Sequence, residues 1–129
     1  MQPPKKYPKI SVKIIFKWEE KILMFRYPSG VNDLPGGTME WGESTMETLR
    51  RELREELDYE LQGEPELFEV YNDIEEEKDR HRVQLQYIQR LNAEPRFTSL
   101  EGVEYHWLDK EEAKRVFGEG EFLERIFEY

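Results

Sequence analysis

The alternation of polar and apolar residues predicts two strands near the start of the chain. Residues 9–18 alternate between the two kinds of side chain and then become continuously apolar, which is typical of a strand. The two glutamates at 19–20 form a tight turn, and residues 21–27 complete a hairpin. We interpret residues 1–8, which contain three prolines and two lysines, as a loose arm.

The strongest local pattern predicts a helix in the middle of the chain. Residues 34–37 (Leu-Pro-Gly-Gly) can neither continue a helix nor form a good strand, so we expect a loop there. Residues 44–47 (Ser-Thr-Met-Glu) form a capping box, in which a serine and a glutamate three positions later satisfy free N–H groups at a helix start. The helix is expected to span residues 45–57.

The second half of the chain predicts an alternation of strands and helices. The expected elements are strands near 66–73 and 81–91 joined by the charged stretch 73–80, a short strand at 103–108, a helix at 110–117 capped by Asp109, and one or two further helical turns at 121–127. Strands on both sides of one strong helix favour an α/β fold in which helices pack on a mixed sheet. The length of 129 residues suits a single domain, 1–129.

Composition and charge exclude several classes of protein. The net charge of −10 and the lack of a long Lys/Arg cluster argue against nucleic acid as a partner. With no cysteine the chain has neither disulfides nor thiolate zinc sites, and His81 and His106 are too few for a multi-histidine metal site. No apolar run approaches the ~20 residues that cross a membrane, and the N-terminus lacks a signal-peptide core. We therefore expect a cytoplasmic protein that does not bind membranes.

The predicted helix carries three acids in an unusual position. Its apolar stripe falls within an arc of roughly 80° and comprises Met46, Leu49, Leu53 and Leu57. Glu56, Glu52 and Glu55 lie directly beside this stripe, in that angular order, instead of opposite to it. The i,i+4 pair of like charges costs about 0.2–0.5 kcal/mol, and the negative end of the helix dipole adds to the cost. Such a local conflict points to a functional site.

Two interpretations of these acids stay open at this point. A divalent cation would remove the conflict, since magnesium binds through a few carboxylates and substrate phosphates. Alternatively, the acids form a solvated face and pair with Arg50, Arg51 and Arg54. The preceding glycines at 36–37 favour the first interpretation, because they let the backbone approach a ligand closely, and the helix start that follows favours an anion.

The segment 37–59 resembles the signature of the Nudix hydrolase family and its MutT-like members. That signature reads G-x5-E-x7-R-E-U-x-E-E-x-G-U, where U is a bulky aliphatic residue. Here Gly37 is followed after five residues by Glu43 and, after seven more, by residues 51–59 (RELREELDY). The spacing holds throughout, and the preceding Leu-Pro-Gly and the order of strands on both sides also fit.

The resemblance implies a role for each matching residue. The family's metal-binding acids match Glu52, Glu55 and Glu56. Arg51 matches the arginine that orients a catalytic glutamate, Gly37 the glycine whose carbonyl can reach a metal, and Glu43 a mainly structural glutamate. The implied fold is a mixed sheet between helices, the implied cofactor is Mg²⁺ or Mn²⁺, and homodimers are common in the family.

The chain departs from the signature at the end of the helix. Asp58 stands where the family has glycine, and Tyr59 replaces an aliphatic residue. The glycine at this point suits a left-handed C-terminal cap, a conformation that Asp tolerates better than most residues. We therefore expect Asp58 to be left-handed at some cost in stability, with no effect on the charged ligands.

Residues outside the signature supply further candidates for the site. In the family a further acid often reaches the metals from a later loop, and Glu101 is the leading candidate, ahead of Glu76 and Glu104, against the alternative of a solvated loop acid. Arg26 and Tyr27 end the hairpin and are candidate substrate contacts, although Tyr27 also suits the core or its rim. Trp41 either stacks on a base or covers the helix start. His81 and His106 read as ordinary strand residues, and Trp107 as core.

The predicted function is hydrolysis of a pyrophosphate link in a nucleoside diphosphate joined to another group. Nucleoside triphosphates, nucleotide sugars, dinucleoside polyphosphates and ADP-ribose belong to this class, and the sequence does not choose among them. One rival is a catalytically silent module that senses a ligand or binds a protein; the intact set of acids argues against it. The other rivals are an enzyme acting on RNA 5′ ends, which the acidic balance disfavours, and an acidic interaction domain without metal.

Overall fold

The computed structural model describes residues 5–129 and shows a seven-stranded mixed sheet with helices on both faces. The strands and helices are β1 (Lys9–Trp18), β2 (Lys21–Arg26), β3 (Asn32–Asp33), β4 (Gly36–Thr38), α1 (Thr45–Leu57), β5 (Glu66–Glu75), β6 (Arg80–Arg90), β7 (Glu104–Leu108), α2 (Lys110–Phe117) and α3 (Glu121–Glu128). Of the expected N-terminal arm, residues 5–8 have no regular structure and residues 1–4 lie outside the described part. The predicted α/β architecture is confirmed.

The sheet is built around β1. Its path runs β3-β2-β1-β6-β5, with β4 paired to β1 and β7 paired to β2. Strand β1 is parallel to β6 and antiparallel to β2 and β4, which makes the sheet mixed. Strands β4 and β2 pair with the same edge of β1 at different places, β4 at residues 11–13 and β2 at residues 17–18.

Two hydrophobic cores explain why β1 is buried on both faces. Val12, Ile14 and Phe16 point to one face, where they pack with the apolar stripe of α1. Ile15 points to the other face and packs with residues of α2 and α3. Strands covered on both faces lose the simple alternation of a half-buried strand, which accounts for the continuous apolar run in β1.

Helix α1 begins and ends where its local sequence predicts. The Ser44 side chain accepts from the N–H of Glu47, and the Glu47 carboxylate accepts from the N–H of Ser44, which completes the capping box. Asp58 is left-handed, with φ 49° and ψ 42°, and its N–H donates to the carbonyl of Arg54. The expected cap conformation is therefore confirmed.

The expectation of a loop is confirmed at residues 34–35 and was wrong at residues 36–37, which belong to β4. Gly36 belongs to β4 and pairs with Lys13 of β1. It has φ 128°, and a Cβ there would overlap the carbonyl oxygen of Val12. Glycine is needed at position 36 because the backbones of β4 and β1 pass each other closely. The sequence had suggested a different reason, the close approach of the backbone to a ligand.

Smaller differences concern the bounds of the other elements. The predicted charged connection 73–80 shrinks to a single 3₁₀ turn at Glu76–Lys78, because β5 and β6 extend into it as a hairpin. Among the described residues, no helix is both long and apolar enough to cross a membrane.

Candidate active site

Strand β4 forms the support against which the acids of α1 rest. The N–H of Gly36 donates to Oε1 of Glu56 over 3.1 Å. A Cβ at Gly37 would overlap the carboxylate of Glu52, so this carboxylate lies directly on the glycine backbone. Gly37 thus makes room for the Glu52 carboxylate on the strand, and the backbone N–H of Gly36 binds Glu56.

The three acids differ in exposure in the order that the helical geometry predicts. Glu56 is 5% exposed, the Glu52 side chain is 17% exposed and the Glu55 side chain is 51% exposed. Glu56 lies next to the apolar stripe, of which Leu49, Leu53 and Leu57 are buried. The acids therefore form a gradient from the core to the solvent.

Arg51 organises the outer part of this cluster. Its guanidinium makes two bonds to the Glu43 carboxylate, of 2.7 and 3.1 Å, and Nη1 donates to Glu52 over 2.9 Å and to Glu55 over 3.3 Å. Nη2 also donates to the carbonyl of Thr38 in β4. The bonds from Arg51 hold the pKa of Glu43 at about 2. Glu43 and Arg51 thus lock the helix to β4.

The alternative of arginine-paired acids holds for two of the three. Glu52 and Glu55 pair with Arg51, whereas Arg54 pairs with Glu60. No arginine among the described residues pairs with Glu56, whose partners are the N–H of Gly36 and, over 3.5 Å, the hydroxyl of Tyr27. The alternative interpretation, a solvated helix face of ion pairs, therefore does not explain Glu56.

Burial makes the charged forms of the inner acids costly. It raises the pKa of Glu56 to about 7, with the charges of Glu52 and Glu101 adding to the rise, while the Gly36 N–H and the Lys13 ammonium oppose it. Burial also raises the pKa of Glu52, despite its bond to Arg51. A cation at these carboxylates would offset the loss of hydration.

The loop at residues 98–102 brings a fourth acid towards the cluster. The N–H of Leu100 donates to the carbonyl of Glu56 over 3.1 Å, and the N–H of Thr98 donates to that of Leu57 over 2.8 Å. Glu101 is thereby placed so that its charge raises the pKa values of Glu56 and Tyr27.

The other two candidate acids make their contacts with residues other than the helix acids. Glu76 is on the 3₁₀ turn and lines a pocket with residues such as Lys6 and His81. Glu104 is paired with Arg26 across β2 and β7, and its carboxylate contacts His106. The structure therefore favours Glu101 over both as a partner of the helix acids.

The proposed substrate contacts divide into two groups. Arg26 and Tyr27 line a cavity of about 300 Å³ together with Gly102 and Glu104, and Tyr27 also packs against the core beneath α1. Trp41 is fully exposed, so it does not cover the start of the helix. Trp107 packs against the core as expected, and His81 and His106 lie on β6 and β7.

The sequence reasoning missed Lys13. Its side chain is buried, and the ammonium donates to Asp33 over 3.0 Å and to the carbonyls of Leu34 and Gly36 over 3.3 and 3.4 Å. A lysine within the apolar run of β1 was the available signal. The Lys13 ammonium contacts β4 at the Gly36 carbonyl, and its positive charge acts on Glu56.

The donor set fits a hard divalent cation, although the side chains are not arranged around one. Among residues 5–129, no three His, Cys, Asp or Glu side chains are placed to hold a metal ion together, and Glu52 and Glu55 turn towards Arg51 instead. The carboxylates offer only oxygen ligands, which Mg²⁺ prefers, and the two inner acids have raised pKa values. The types of residue and their burial therefore suit such an ion.

Comparison with known proteins identifies the family. The family model for the NUDIX domain matches residues 8–126. The chain belongs to the NUDIX family. It is accordingly a Nudix pyrophosphohydrolase, from a family that acts on nucleotide-type substrates and generally uses divalent metal ions. A comparison with curated proteins finds no match.

Solved structures show the same fold. The chain is similar to the MutT NUDIX hydrolase from Burkholderia pseudomallei (TM-score 0.75, 22% identity, 94% of this chain and 99% of that chain). It is also similar to the MutT protein from Methanosarcina mazei Go1 (0.72, 23%, 98% and 94%) and to a UDP-X diphosphatase (0.75, 20%, 98% and 66%).

Proposed function

We propose that the chain hydrolyses the pyrophosphate link of a nucleoside diphosphate joined to another group, with Mg²⁺ or Mn²⁺ as cofactor. The substrate belongs to one of four classes: nucleoside triphosphates, nucleotide sugars, dinucleoside polyphosphates or ADP-ribose. Water attack at one phosphorus releases a nucleoside monophosphate and a phosphorylated partner, or pyrophosphate from a triphosphate.

The roles of the residues follow from their positions. Glu52, Glu55 and Glu56 would hold the ion together with the Gly37 carbonyl, and the bound ion would neutralise the pyrophosphate and lower the pKa of water. Arg51 keeps the Glu52 carboxylate on β4. A carboxylate of this cluster takes the proton from the attacking water.

Glu101 and three further residues complete the proposed site. Glu101 adds a carboxylate from the loop that is bonded to the end of α1. Arg26 and Tyr27 contact the substrate from their cavity, and the exposed ring of Trp41 stacks on a base.

The observation that carries this proposal is the burial of Glu56 without a cationic side chain in direct contact. It is 5% exposed and its pKa is raised to about 7. An acid held in such a place at a cost in stability is explained by a ligand that compensates its charge.

The test is hydrolysis of a panel of nucleotides with Mg²⁺ and with a chelator. We expect phosphate-anhydride cleavage that requires the metal and that falls by at least about 100-fold in Glu52→Gln. Glu47→Gln is the matched control, because it lies on the same helix and a glutamine preserves the capping box. Hydrolysis by Glu52→Gln at the parental rate would contradict the assignment of the acids.

The proposal also covers the organisation of the protein. We propose that residues 1–129 act as one catalytic domain, that the chain forms a homodimer and that it works in the cytoplasm. Light scattering after gel filtration tests the dimer, and imaging of the tagged chain tests the location.

A further inference from the structure

A buried lysine lies beside the strand on which the acids of α1 rest. Lys13 is 7% exposed and occupies the middle of β1, between Gly36 of β4 and Gln86 of β6. An ammonium loses its hydration at such a position, which is costly unless other groups replace the water. An apolar side chain would suit the interior of β1, as it does at Ile15. Stability alone therefore does not explain the lysine.

The Lys13 ammonium is bound to a single short segment of the chain. It donates to the Asp33 carboxylate over 3.0 Å and to the carbonyls of Leu34 and Gly36 over 3.3 and 3.4 Å. These acceptors use all three hydrogens of the ammonium. The other carboxylate oxygen of Asp33 accepts from the N–H of Leu34 over 2.8 Å. Lys13 thus joins β1 at three points to the segment that leads from β3 into β4.

The short strand β4 depends on its surroundings for a fixed position. It comprises three residues, and Gly36 and Gly37 have no side chains that could hold it. Glycine also has more backbone freedom than other residues. Pairing with β1 fixes one edge of β4. Just before β4, the buried Leu34 packs in the core, and Lys13 provides the polar contacts that reach as far as the Gly36 carbonyl.

The inner acids of α1 depend on where this backbone lies. The N–H of Gly36 donates to Glu56 over 3.1 Å, and the Glu52 carboxylate lies against Gly37. Gly36 is therefore bonded through its carbonyl to Lys13 and through its N–H to Glu56. A displacement of about 1 Å at a catalytic site can reduce the rate by about 100-fold. A side chain that fixes β4 thus affects both carboxylates without touching either.

We propose that Lys13 is a positioning residue for hydrolysis, which holds β4 where the carboxylates of Glu52 and Glu56 bind the metal ion. Lys13 acts through the backbone of Gly36 and does not contact the substrate. This inference rests on the proposed function for its view that these acids bind an ion. A lysine that only stabilised the fold would have no selective effect on β4 or on the acids.

Hydrogen exchange of backbone amides tests the position of β4 without metal or substrate. Lys13→Met keeps a long side chain and should fold, because the Asp33 carboxylate that it leaves behind is partly exposed. The Gly36 amide should exchange at least about tenfold faster than in the parent, because β4 opens locally. A purely structural role would accelerate the amides of β1 and β6 by the same factor. An unchanged Gly36 rate, or equal acceleration throughout the sheet, would overturn the proposal.

Calorimetry with Mg²⁺ and steady-state kinetics measure the consequence for the acids. Lys13→Met should bind Mg²⁺ about tenfold more weakly and lower kcat by about 10- to 100-fold, with the KM for the nucleotide close to the parental value. The direction of the metal effect is informative, because the loss of a nearby positive charge would by itself tighten the binding of a cation. Tighter binding of Mg²⁺ with an unchanged kcat would contradict positioning by Lys13.

The second buried lysine of β1 offers a matched control. Lys17 lies on the same face of the strand, is fully buried and donates to the carbonyls of Phe127 and Tyr129, away from β4. Lys17→Met should lower Tm but leave the affinity for Mg²⁺ and the exchange of Gly36 relative to the rest of the sheet unchanged. Equal effects of Lys17→Met and Lys13→Met on these two measurements would show that the role of Lys13 is only structural.

The partner of Lys13 provides a second, milder variant. Asp33→Ala removes one of the three acceptors at a partly exposed position, so the variant should fold even if Lys13→Met does not. Exchange at Gly36 should again be faster, but by a smaller factor, because the bonds from Lys13 to the two carbonyls remain. Parental exchange at Gly36 in Asp33→Ala would count against the proposal.

The outcomes separate this inference from the proposed function. Selectively faster exchange at Gly36 in Lys13→Met, without hydrolysis of any nucleotide by the parent, leaves the anchoring of β4 standing and overturns the proposed function. Metal-dependent hydrolysis by the parent and by Lys13→Met at equal rates, with parental exchange at Gly36, supports the proposed function and overturns the role of Lys13.

Discussion

Replacing Glu56 by glutamine changes the charge of the buried acid while keeping its shape. The pKa of Glu56 is about 7 in the folded protein and 4.5 in the reference state. Because the pKa of Glu56 is higher in the folded state, the contribution of Glu56 to stability is fully present below pH 4.5. This contribution is lost as the pH rises through 7. At about 1.4 kcal/mol for each pKa unit, the loss amounts to about 3 kcal/mol.

The metal-free variant should therefore be more stable than the parent at pH 8. Glutamine keeps an oxygen that can accept from the N–H of Gly36, and it removes the repulsion from Glu52 and Glu101. The gain in the free energy of unfolding should reach about 1–3 kcal/mol at pH 8 and nearly vanish at pH 4.5. A gain of 1 kcal/mol raises Tm by about 4 °C in a domain of this size.

Thermal melting at both pH values, with and without Mg²⁺, measures these effects. Metal should raise the Tm of the parent by mass action, and it should raise that of the variant less. Turnover should fall by at least about 100-fold. Glu47→Gln serves again as the control and should follow the parent throughout. A variant that is no more stable than the parent at pH 8, with an undiminished metal response, would refute this account of Glu56.

Four further changes test the packing around the acids and the end of α1. Gly36→Ala should destabilise by at least about 3 kcal/mol, because its methyl group meets the backbone of β1. Gly37→Ala should stay folded but bind metal more weakly, because its methyl group displaces only the flexible carboxylate of Glu52; calorimetry with Mg²⁺ measures the difference. Arg51→Lys should lower the free energy of unfolding by about 1–3 kcal/mol, since lysine cannot make both bonds to Glu43; urea titration tests it. Asp58→Gly should raise Tm, because its left-handed backbone suits glycine, and an unchanged or lower Tm would contradict this.

Local interactions made α1 and its chemistry predictable. The capping box of Ser44 and Glu47 involves residues three positions apart, and the left-handed end at Asp58 follows from the preceding turn. The neighbours of Glu56 on the helix surface are fixed by 3.6 residues per turn. The sequence alone therefore determined the bounds of the helix, the order of burial of its acids and the resemblance to the family.

Contacts between distant segments decided the rest of the candidate site. The strand at Gly36–Thr38 exists because β1 provides a partner about 25 residues earlier, and no local pattern of hydrophobic residues marks it. The position of Glu101 depends on a loop that bonds to the end of α1.

The neighbouring positions of Gly36, Lys13 and Gln86 in the sheet depend on the pairing of β4 with β1 and on the parallel register of β1 and β6, strands about 70 residues apart. Side chains alternate along each strand, so the sequence states which residues share a face within one strand. Only the pairing of strands in the folded protein decides which residues of different strands become neighbours, because a shift of one residue moves every side chain to the other face.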